Sequence, residues 1–293
     1  MKVAVIGPVC KDEIIIKGRH IQQMGGLTYY AGCALSALAA EVTIFGSFGQ
    51  EKPAWLKQLR CQKLIRIPAP KTLKFINEYS EANQDVRSQR AEFSKNEIRT
   101  EDIRKYDFSK FDYIILGPLF HDNISLDLVR HLHKSGSKIV LAPQGLIRYL
   151  DNQKIIWKNP KLVIKMLKYF HCLVLDEKEL KFISQKNKIS RAVDYLLRHG
   201  AKNMVITRGS SGSYVIVKGK QYCIKVFKPR RLIDPTGAGD SYLAGFIKAQ
   251  EWFKNPQKQG EFAAMVATMA MENHGPFNGN SKKVLNRLGF YLK

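Results

Sequence analysis

The sequence has no apolar run that approaches the roughly 18 to 20 residues needed to cross a bilayer. Its first residues, MKVAVIGPVC, turn into Gly-Pro before they could form the long apolar core of a signal peptide. We therefore expect neither a membrane partner nor export, and we predict a cytoplasmic protein.

Cysteine is scarce and scattered. The five cysteines lie far apart, and no two of them have C-x-x-C spacing. An odd number of separate thiols argues against a disulfide framework, and the spacing argues against a zinc site. A reducing compartment fits this pattern.

Acidic residues are few relative to basic ones, with 25 Asp and Glu against 48 Lys and Arg, which gives a net charge of +23. Such a charge first suggests a nucleic-acid-binding protein. The basic residues are spread along the chain, however, and even the densest cluster, KPRR at 228–231, does not form a block of five or six. We expect no nucleic-acid partner. Two explanations of the net charge stay open. It serves no function, or it creates an electrostatic field that attracts an anionic substrate.

Short β-branched runs alternate with amphipathic segments along the chain. The runs KVAVIG, VTIFGSFG, YIILGP, KIVLAP, CLVLD and MVITRG predict buried strands. Segments between them, such as ISLDLVRHLHKSG and SRAVDYLLRHG, predict helices that end near a glycine. Strands that alternate with helices predict an α/β fold with a mostly parallel sheet covered on both faces.

Two other stretches alternate apolar and polar residues, as half-exposed strands do. They lie near residues 12–20 and across residues 72–93, where two strands and a polar turn are predicted. We expect these strands to form a small sheet separate from the main one.

Polar residues and glycines follow several of the predicted buried strands. Gln144 comes after KIVLAP, Asp176 after CLVL and Gly209 after MVIT. Ligands of open α/β sheets bind beyond the carboxyl ends of the strands. The set therefore predicts a shared cleft, although each residue alone would be an ordinary turn.

The stretch DPTGAGDS at 234–241 places three small residues directly before a carboxylate and an apolar helical run. Bare N–H groups at a helix start form an anion pocket, which the helix dipole strengthens. A carboxylate beside a bound phosphate suits a base that takes a proton from an attacking hydroxyl. The stretch thus suggests phosphoryl transfer to an alcohol. A tight turn in which Asp240 and Ser241 cap the helix is the alternative.

The extended stretch DPTGAGDSYLAGF resembles the C-terminal signature of the ribokinase-like, PfkB-type carbohydrate kinases. The N-terminal stretches VAVIGPVCKDEII and MGGLTYYAGCALSALAAEVTIFGSFG resemble that family too, so the likeness runs from about residue 3 to residue 277. It implies a three-layer α/β/α sandwich with a small β-sheet lid, here a single kinase domain over residues 1–293. It also implies ATP and Mg²⁺ as cofactors. It does not decide whether the protein forms a homodimer through the lid.

The resemblance assigns roles position by position. Asp240 matches the general base, and Gly237, Ala238 and Gly239 match the anion hole. Residues implied for the nucleotide are Thr207, Gly209, Gly212 and Asn273. Residues implied for the acceptor are Asp12, Gly25, Gly26, Arg87, Gln89, Gln144 and Arg148. An ion pair of Arg148 with an acid such as Asp151 is the alternative for that residue. Asp176 and Glu179 are implied for the metal.

Departures from the family pattern bear on function. The family's Asn-x-x-Glu is here Asp176-Glu177-Lys178-Glu179, and the usual Asn after Gly-Gly is missing from LTYYAG. The stretches GGLTYYAG, RSQ and APQGLIR resemble the subgroup of archaeal-type myo-inositol kinases. We therefore expect an ATP-dependent kinase for a polyol or sugar, with myo-inositol favoured. A nucleoside kinase, for which Tyr29 and Tyr30 could form a wall, and a non-catalytic binding protein are the alternatives.

Overall fold

The structure is a computed structural model that describes residues 1–16, 19–51, 53–79, 87–92 and 96–290. The strands, in chain order, are β1 (Lys2–Pro8), β2 (Cys10–Ile16), β3 (Arg19–Gly25), β4 (Glu41–Phe48), β5 (Lys63–Pro68), β6 (Leu73–Tyr79), β7 (Arg87–Glu92), β8 (Tyr113–Leu116), β9 (Lys138–Leu141), β10 (Arg148–Asp151), β11 (Lys154–Trp157), β12 (Cys172–Asp176), β13 (Asn203–Thr207), β14 (Ser213–Val217) and β15 (Lys220–Ile224). The helices are α1 (Leu27–Ala37), α2 (Pro53–Leu56), α3 (Thr100–Ile103), α4 (Leu126–His133), α5 (Lys161–Met166), α6 (Glu177–Ser184), α7 (Ile189–Arg198), α8 (Ala238–Ala249), α9 (Pro256–Ala270) and α10 (Ser281–Leu288). None of these helices, within the ranges described, is long and apolar enough to cross a membrane.

The main sheet has the strand order β15-β14-β13-β12-β9-β8-β1-β4-β5 over the described residues. The seven strands from β13 to β5 run parallel, and β14 and β15 add an antiparallel edge. All six strands predicted as buried runs are present. The continuous apolar character of β8, in which every residue is buried, reflects coverage of both faces.

Alternate side chains of β1 enter two different cores. Val3 and Val5 belong to the core under α1, α8 and α9. Ala4 and Ile6 belong to the core on the other face, with α4, α6 and α7. The period of two along a strand thus divides one apolar run between two helical layers. This arrangement is the predicted α/β sandwich.

A second sheet has the order β10-β11-β7-β6-β2-β3 over the described residues. The strands β2, β6 and β7 lie where the alternating stretches predicted a small sheet, whereas β3, which begins at the end of the first stretch, was not predicted. Residues 17–18 and 80–86 lie outside the described residues, and with them the polar turn predicted within 72–93. The hairpin of β10 and β11 was not predicted, since RYLD and KIIW are too short to show a clear period.

Candidate active site

A cleft of about 410 Å³ lies where the carboxyl ends of the parallel strands meet the second sheet. Residues following β9, β12 and β13 form one side, and residues of β2, β6 and β7 form the other. The first turn of α8 closes one end. Because parallel strands end at the same edge, polar residues that are distant in sequence become neighbours here.

Most of the predicted site residues line this cleft. They are Asp12, Gly26, Gln89, Gln144, Arg148, Asp176, Glu179, Thr207, Gly209, Gly237, Ala238, Gly239 and Asp240. The structure thus brings the residues implied for acceptor, donor and metal into one space.

Three predicted residues do not line the cleft, and of a fourth, Arg87, only the backbone is described. Gly25 lies behind Asp12, and a Cβ added to it would overlap that carboxylate. Gly212, with φ +81°, closes a turn in which its N–H donates to Gly209 O at 3.2 Å. Asn273 ends the α9 region, where its Nδ2 donates to Met269 O at 3.1 Å. Arg87 starts β7, and its side chain lies outside the described part of the chain.

Backbone geometry at the start of α8 makes a pocket for an anion. Gly237 caps the helix with φ +74°, a region that favours glycine. Ser241 N–H donates to Gly237 O at 2.8 Å, and Ala238 N–H donates to Pro235 O at 3.2 Å. Between them, the N–H groups of Gly239 and Asp240 have no acceptor among the residues described. Two free N–H groups at the positive end of a helix dipole suit a phosphate.

Asp240 lies partly buried in the first turn of α8, facing the cleft. Burial raises its pKa from 3.8 to about 7, the positive charge of Arg148 opposes that rise, and the negative charge of Asp12 adds to it. A carboxylate whose pKa lies near neutral pH is a more effective proton acceptor than an ordinary aspartate. Asp240 therefore has both the position and the basicity of a general base.

Asp12 lies in β2 on the opposite wall and is buried. The Cys10 thiol donates to Asp12 Oδ1 at 3.3 Å. Since Gly25 has no side chain, the carboxylate can occupy the space next to the neighbouring strand. These contacts hold Asp12 at a fixed place in the wall of the cleft.

Asp176 and Glu179 form a reciprocal cap at the start of α6. Glu179 N–H donates to Asp176 Oδ1 at 2.7 Å, and Asp176 N–H donates to Glu179 Oε2 at 3.0 Å. Both side chains also border the cleft. Burial, followed by the negative charge of Asp176, raises the pKa of Glu179 to about 7. One motif thus combines a helix cap with two carboxylates that border the cleft.

These two carboxylates fit a magnesium ion. The described residues contain no cluster of three or more His, Cys, Asp and Glu side chains that could hold a metal. Mg²⁺ is usually held by one or two carboxylates together with substrate phosphates. Burial makes the charged form of Glu179 unfavourable, and a cation would offset that free-energy cost. Asp176 and Glu179 are therefore suitable ligands for a metal that arrives with a phosphate donor.

Sequence comparison decides the family. The pattern of the pfkB family of carbohydrate kinases matches residues 5–283. The chain belongs to the pfkB family of carbohydrate kinases. The predicted family and enzyme class are confirmed at this level.

Individual pfkB relatives match only in part. A nucleoside kinase of Methanocaldococcus jannaschii is 30% identical over 132 residues, which make up 45% of this chain and 42% of that protein. A ribokinase of Arabidopsis thaliana is 25% identical over 179 residues, or 58% and 44% of the two chains. This chain thus spans less than half the length of the curated relatives it matches.

Solved structures match over almost the whole pfkB chain. A pyrophosphate-dependent kinase of the ribokinase family, complexed with a pyrophosphate analog and myo-inositol, has a TM-score of 0.84, 21% identity, and coverage of 97% of this chain and 99% of that one. The ribokinase of Arabidopsis thaliana, complexed with ribose and ATP, has a TM-score of 0.77, 17% identity, and coverage of 99% of both chains. At these identities the likeness shows the fold alone, and the predicted ribokinase-like fold is confirmed.

Several residues of this pfkB cleft escaped the sequence analysis. Phe75 and Asn77 of β6 line it, and Asn77 Oδ1 accepts a hydrogen bond from Gln89 Nε2 at 2.8 Å. The ring of Phe75 stacks on Phe120 at 5.6 Å. Tyr30, weighed only as part of a nucleoside wall, lines the cleft next to Gly237, whereas Tyr29 does not. The strand period of two predicts that Phe75 and Asn77 share a face, but which face borders the cleft depends on pairing with β7.

Proposed function

We propose that this protein transfers the terminal phosphoryl group of ATP, held as a magnesium complex, to a hydroxyl of a small polyol or sugar. One observation carries the proposal. The partly buried base Asp240 and the free N–H groups at the start of α8 open into the same cleft as Asp12, Asn77 and Gln89. A phosphate and a hydroxyl can therefore meet beside a proton acceptor.

The geometry suits an in-line transfer that needs mainly positioning and charge neutralisation. Asp240 accepts the proton of the attacking hydroxyl. The N–H groups of Gly239 and Asp240 stabilise negative charge on the phosphoryl oxygens, as preorganised donors do. Asp12 holds the acceptor from the opposite wall, and the second sheet shields the reacting atoms from water.

Asp176 and Glu179 would hold the magnesium ion on the phosphate side of the cleft. Mg²⁺ supplies neutralisation of phosphate charge when it is bound. The nucleotide would lie toward Thr207 and Gly209, at the carboxyl end of β13.

The acceptor end favours a hydroxyl-rich ring. Asp12 and Asn77 are buried there, and Gln89 lies beside Asn77. Buried donors and acceptors reject a substrate that leaves them unpaired, at about 1 to 3 kcal/mol for each group. A similar fold binds myo-inositol. We therefore favour myo-inositol or a close sugar relative.

A nucleoside is the second candidate acceptor. Phe75 and Tyr30 give the cleft an aromatic component against which a base could pack. The relatives named nucleoside kinases in Methanocaldococcus jannaschii and Methanothermobacter thermautotrophicus support this alternative.

The donor also has an alternative, because the similar structure with myo-inositol is of a pyrophosphate-dependent kinase. Arg148 is the only Lys or Arg among the described residues that line the cleft. A free pyrophosphate would therefore depend on the α8 start, Arg148 and magnesium for its charge. ATP, which can also contact the protein through its base, is the donor we favour. A cytoplasmic location and a lid-mediated homodimer stay predictions.

A product screen tests the proposal. Purified protein is incubated with ATP or pyrophosphate, Mg²⁺, and a panel of myo-inositol, ribose, fructose, cytidine and adenosine, and kcat/KM is measured for each pair. We expect myo-inositol with ATP to lead. A lead of tenfold or more for a nucleoside, about 1.4 kcal/mol, would identify a nucleoside kinase. Binding of substrates without turnover of any pair would indicate the non-catalytic alternative.

A further inference from the structure

Gln144 contacts a carboxylate on the phosphate side of the cleft. Its Nε2 donates to Glu179 Oε1 at 2.8 Å. We propose that Gln144 is a positioning residue, which holds Glu179 in the orientation that serves the metal-bound phosphates, and that it is not a ligand of the acceptor hydroxyls. The inference rests on the proposed function, since it assigns a role within the same site.

Both oxygens of the Glu179 carboxylate are fixed by different elements. Asp176 N–H holds Oε2 through the cap of α6, and Gln144 holds Oε1 from the turn that follows β9. The carboxylate is buried, so water cannot replace a missing donor easily. Without Gln144 the carboxyl group would keep only the hydrogen bond from Asp176 N–H and could rotate about it.

The turn that carries Gln144 is itself rigid. Residues Pro143–Ile147 form a 3₁₀ turn, and Leu146 and Ile147 are fully buried. A Cβ added to Gly145 would lie 2.5 Å from Leu119 N, so the backbone of the turn packs directly on the neighbouring segment. A rigid base and a short hydrogen bond to a charged group are the usual features of an outer-shell partner of a metal ligand.

The same turn connects the two halves of the site. It begins at the end of β9 in the main sheet and leads into Arg148, the first residue of β10 in the second sheet. Gln144 thus faces Glu179, while the positive charge of Arg148 acts on both Glu179 and Asp240. The two polar residues of the QGLIR stretch, both predicted to hold acceptor hydroxyls, therefore have different surroundings.

Gln144→Met tests the assignment, because methionine keeps the length of the side chain and removes the N–H donor. Binding of Mn²⁺ in the presence of ADP or pyrophosphate is measured by electron paramagnetic resonance, and the Mg²⁺ dependence and the acceptor KM are measured by turnover. We expect metal affinity to fall about tenfold or more, the usual cost of losing an outer-shell partner. The acceptor KM should stay within about twofold, below the change expected for a lost substrate contact.

Gln89→Met is the matched control on the other wall, where the same change should raise the acceptor KM and leave Mn²⁺ affinity unchanged. A higher acceptor KM with unchanged metal affinity in Gln144→Met would overturn the proposal, and so would a variant that changes neither quantity. If Gln144→Met lowers the melting temperature, the same measurements are repeated on Gln144→Asn. That variant keeps the amide and withdraws it from Glu179. The metal-binding measurement needs no turnover, so an absence of kinase activity would contradict the proposed function separately.

Discussion

Gly237 lies directly against the ring of Tyr30: a Cβ added to Gly237 would be 2.7 Å from Cε1 of that ring. Two residues later, a Cβ added to Gly239 would meet no atom of the described residues within 4 Å. The two glycines of one motif are therefore needed for different structural reasons. Gly237 is required by packing and by its positive φ, and Gly239 leaves room for a ligand.

Gly239→Ala should separate ligand space from folding. Alanine is the better helix former by about 0.5 to 1 kcal/mol, so the melting temperature should stay equal or rise. The new methyl group would displace the phosphate, and a misplacement of about 1 Å typically costs about 10²-fold in rate. Thermal unfolding and kcat/KM check the two parts. Gly237→Ala, the control, should lower the melting temperature, and wild-type turnover in Gly239→Ala would show that no phosphate lies there.

Asp240→Asn should reduce kcat by roughly 10² to 10⁴, the usual contribution of a positioned base. Nucleotide affinity should change little, because the backbone N–H groups of α8 remain. Steady-state kinetics with the best acceptor and calorimetric titration with ATP measure the two quantities. Asp127→Asn, at an exposed carboxylate on α4, serves as the control. Near wild-type turnover in Asp240→Asn would remove the base assignment.

The pH dependence of turnover should follow the ionisation of this base. Burial raises the pKa of Asp240 to about 7, and the base is active only when ionised. Turnover should therefore rise with pH and level off above about pH 7. Measurement of kcat/KM between pH 5 and 9 in buffers of constant ionic strength tests this. A plateau that extends down to pH 5 would mean that Asp240 titrates as an ordinary aspartate.

The same carboxylate should destabilise the protein at neutral pH. Its pKa is about 7 in the folded state and about 3.9 in an unfolded chain. Below about pH 4 both states are protonated and no cost arises, whereas above about pH 7 the folded state bears the full cost of the buried charge. Asp240→Asn should therefore raise the melting temperature strongly at pH 8, less at pH 5.5 and not at pH 4, by up to a few kcal/mol in unfolding free energy. An equal shift at all three values would contradict the linkage.

Magnesium dependence should distinguish the two carboxylates of the α6 cap. Glu179→Gln should raise the Mg²⁺ concentration for half-maximal activity, since it removes a charge from the phosphate side. Asp176→Asn restores the residue that the family pattern has, and asparagine is as good a helix cap as aspartate. That variant should keep its melting temperature and shift the magnesium curve less. Unchanged magnesium titrations for both variants would leave the pair as a helix cap only.

The sequence alone determined the layers of the fold and the chemistry of the α8 start. Apolar runs such as those of β1 and β8 are continuous because helices cover both faces of a parallel sheet, and this signal is local. The DPTGAGDS stretch combines bare backbone, a helix start and a carboxylate within eight residues. The phosphate chemistry proposed for it therefore follows from neighbours along the chain.

Only the tertiary structure decided how the remaining side chains are used. Gln144 faces Glu179 because the ends of β9 and β12 are adjacent in the sheet, a relationship that a separation of 35 residues along the chain conceals. Asn77 meets Gln89 through the register of β6 and β7, and a shift of one residue would turn both away from the cleft. Contacts between distant segments depend on strand order and register, and these are set by the packing of the whole chain and not by any single stretch of it.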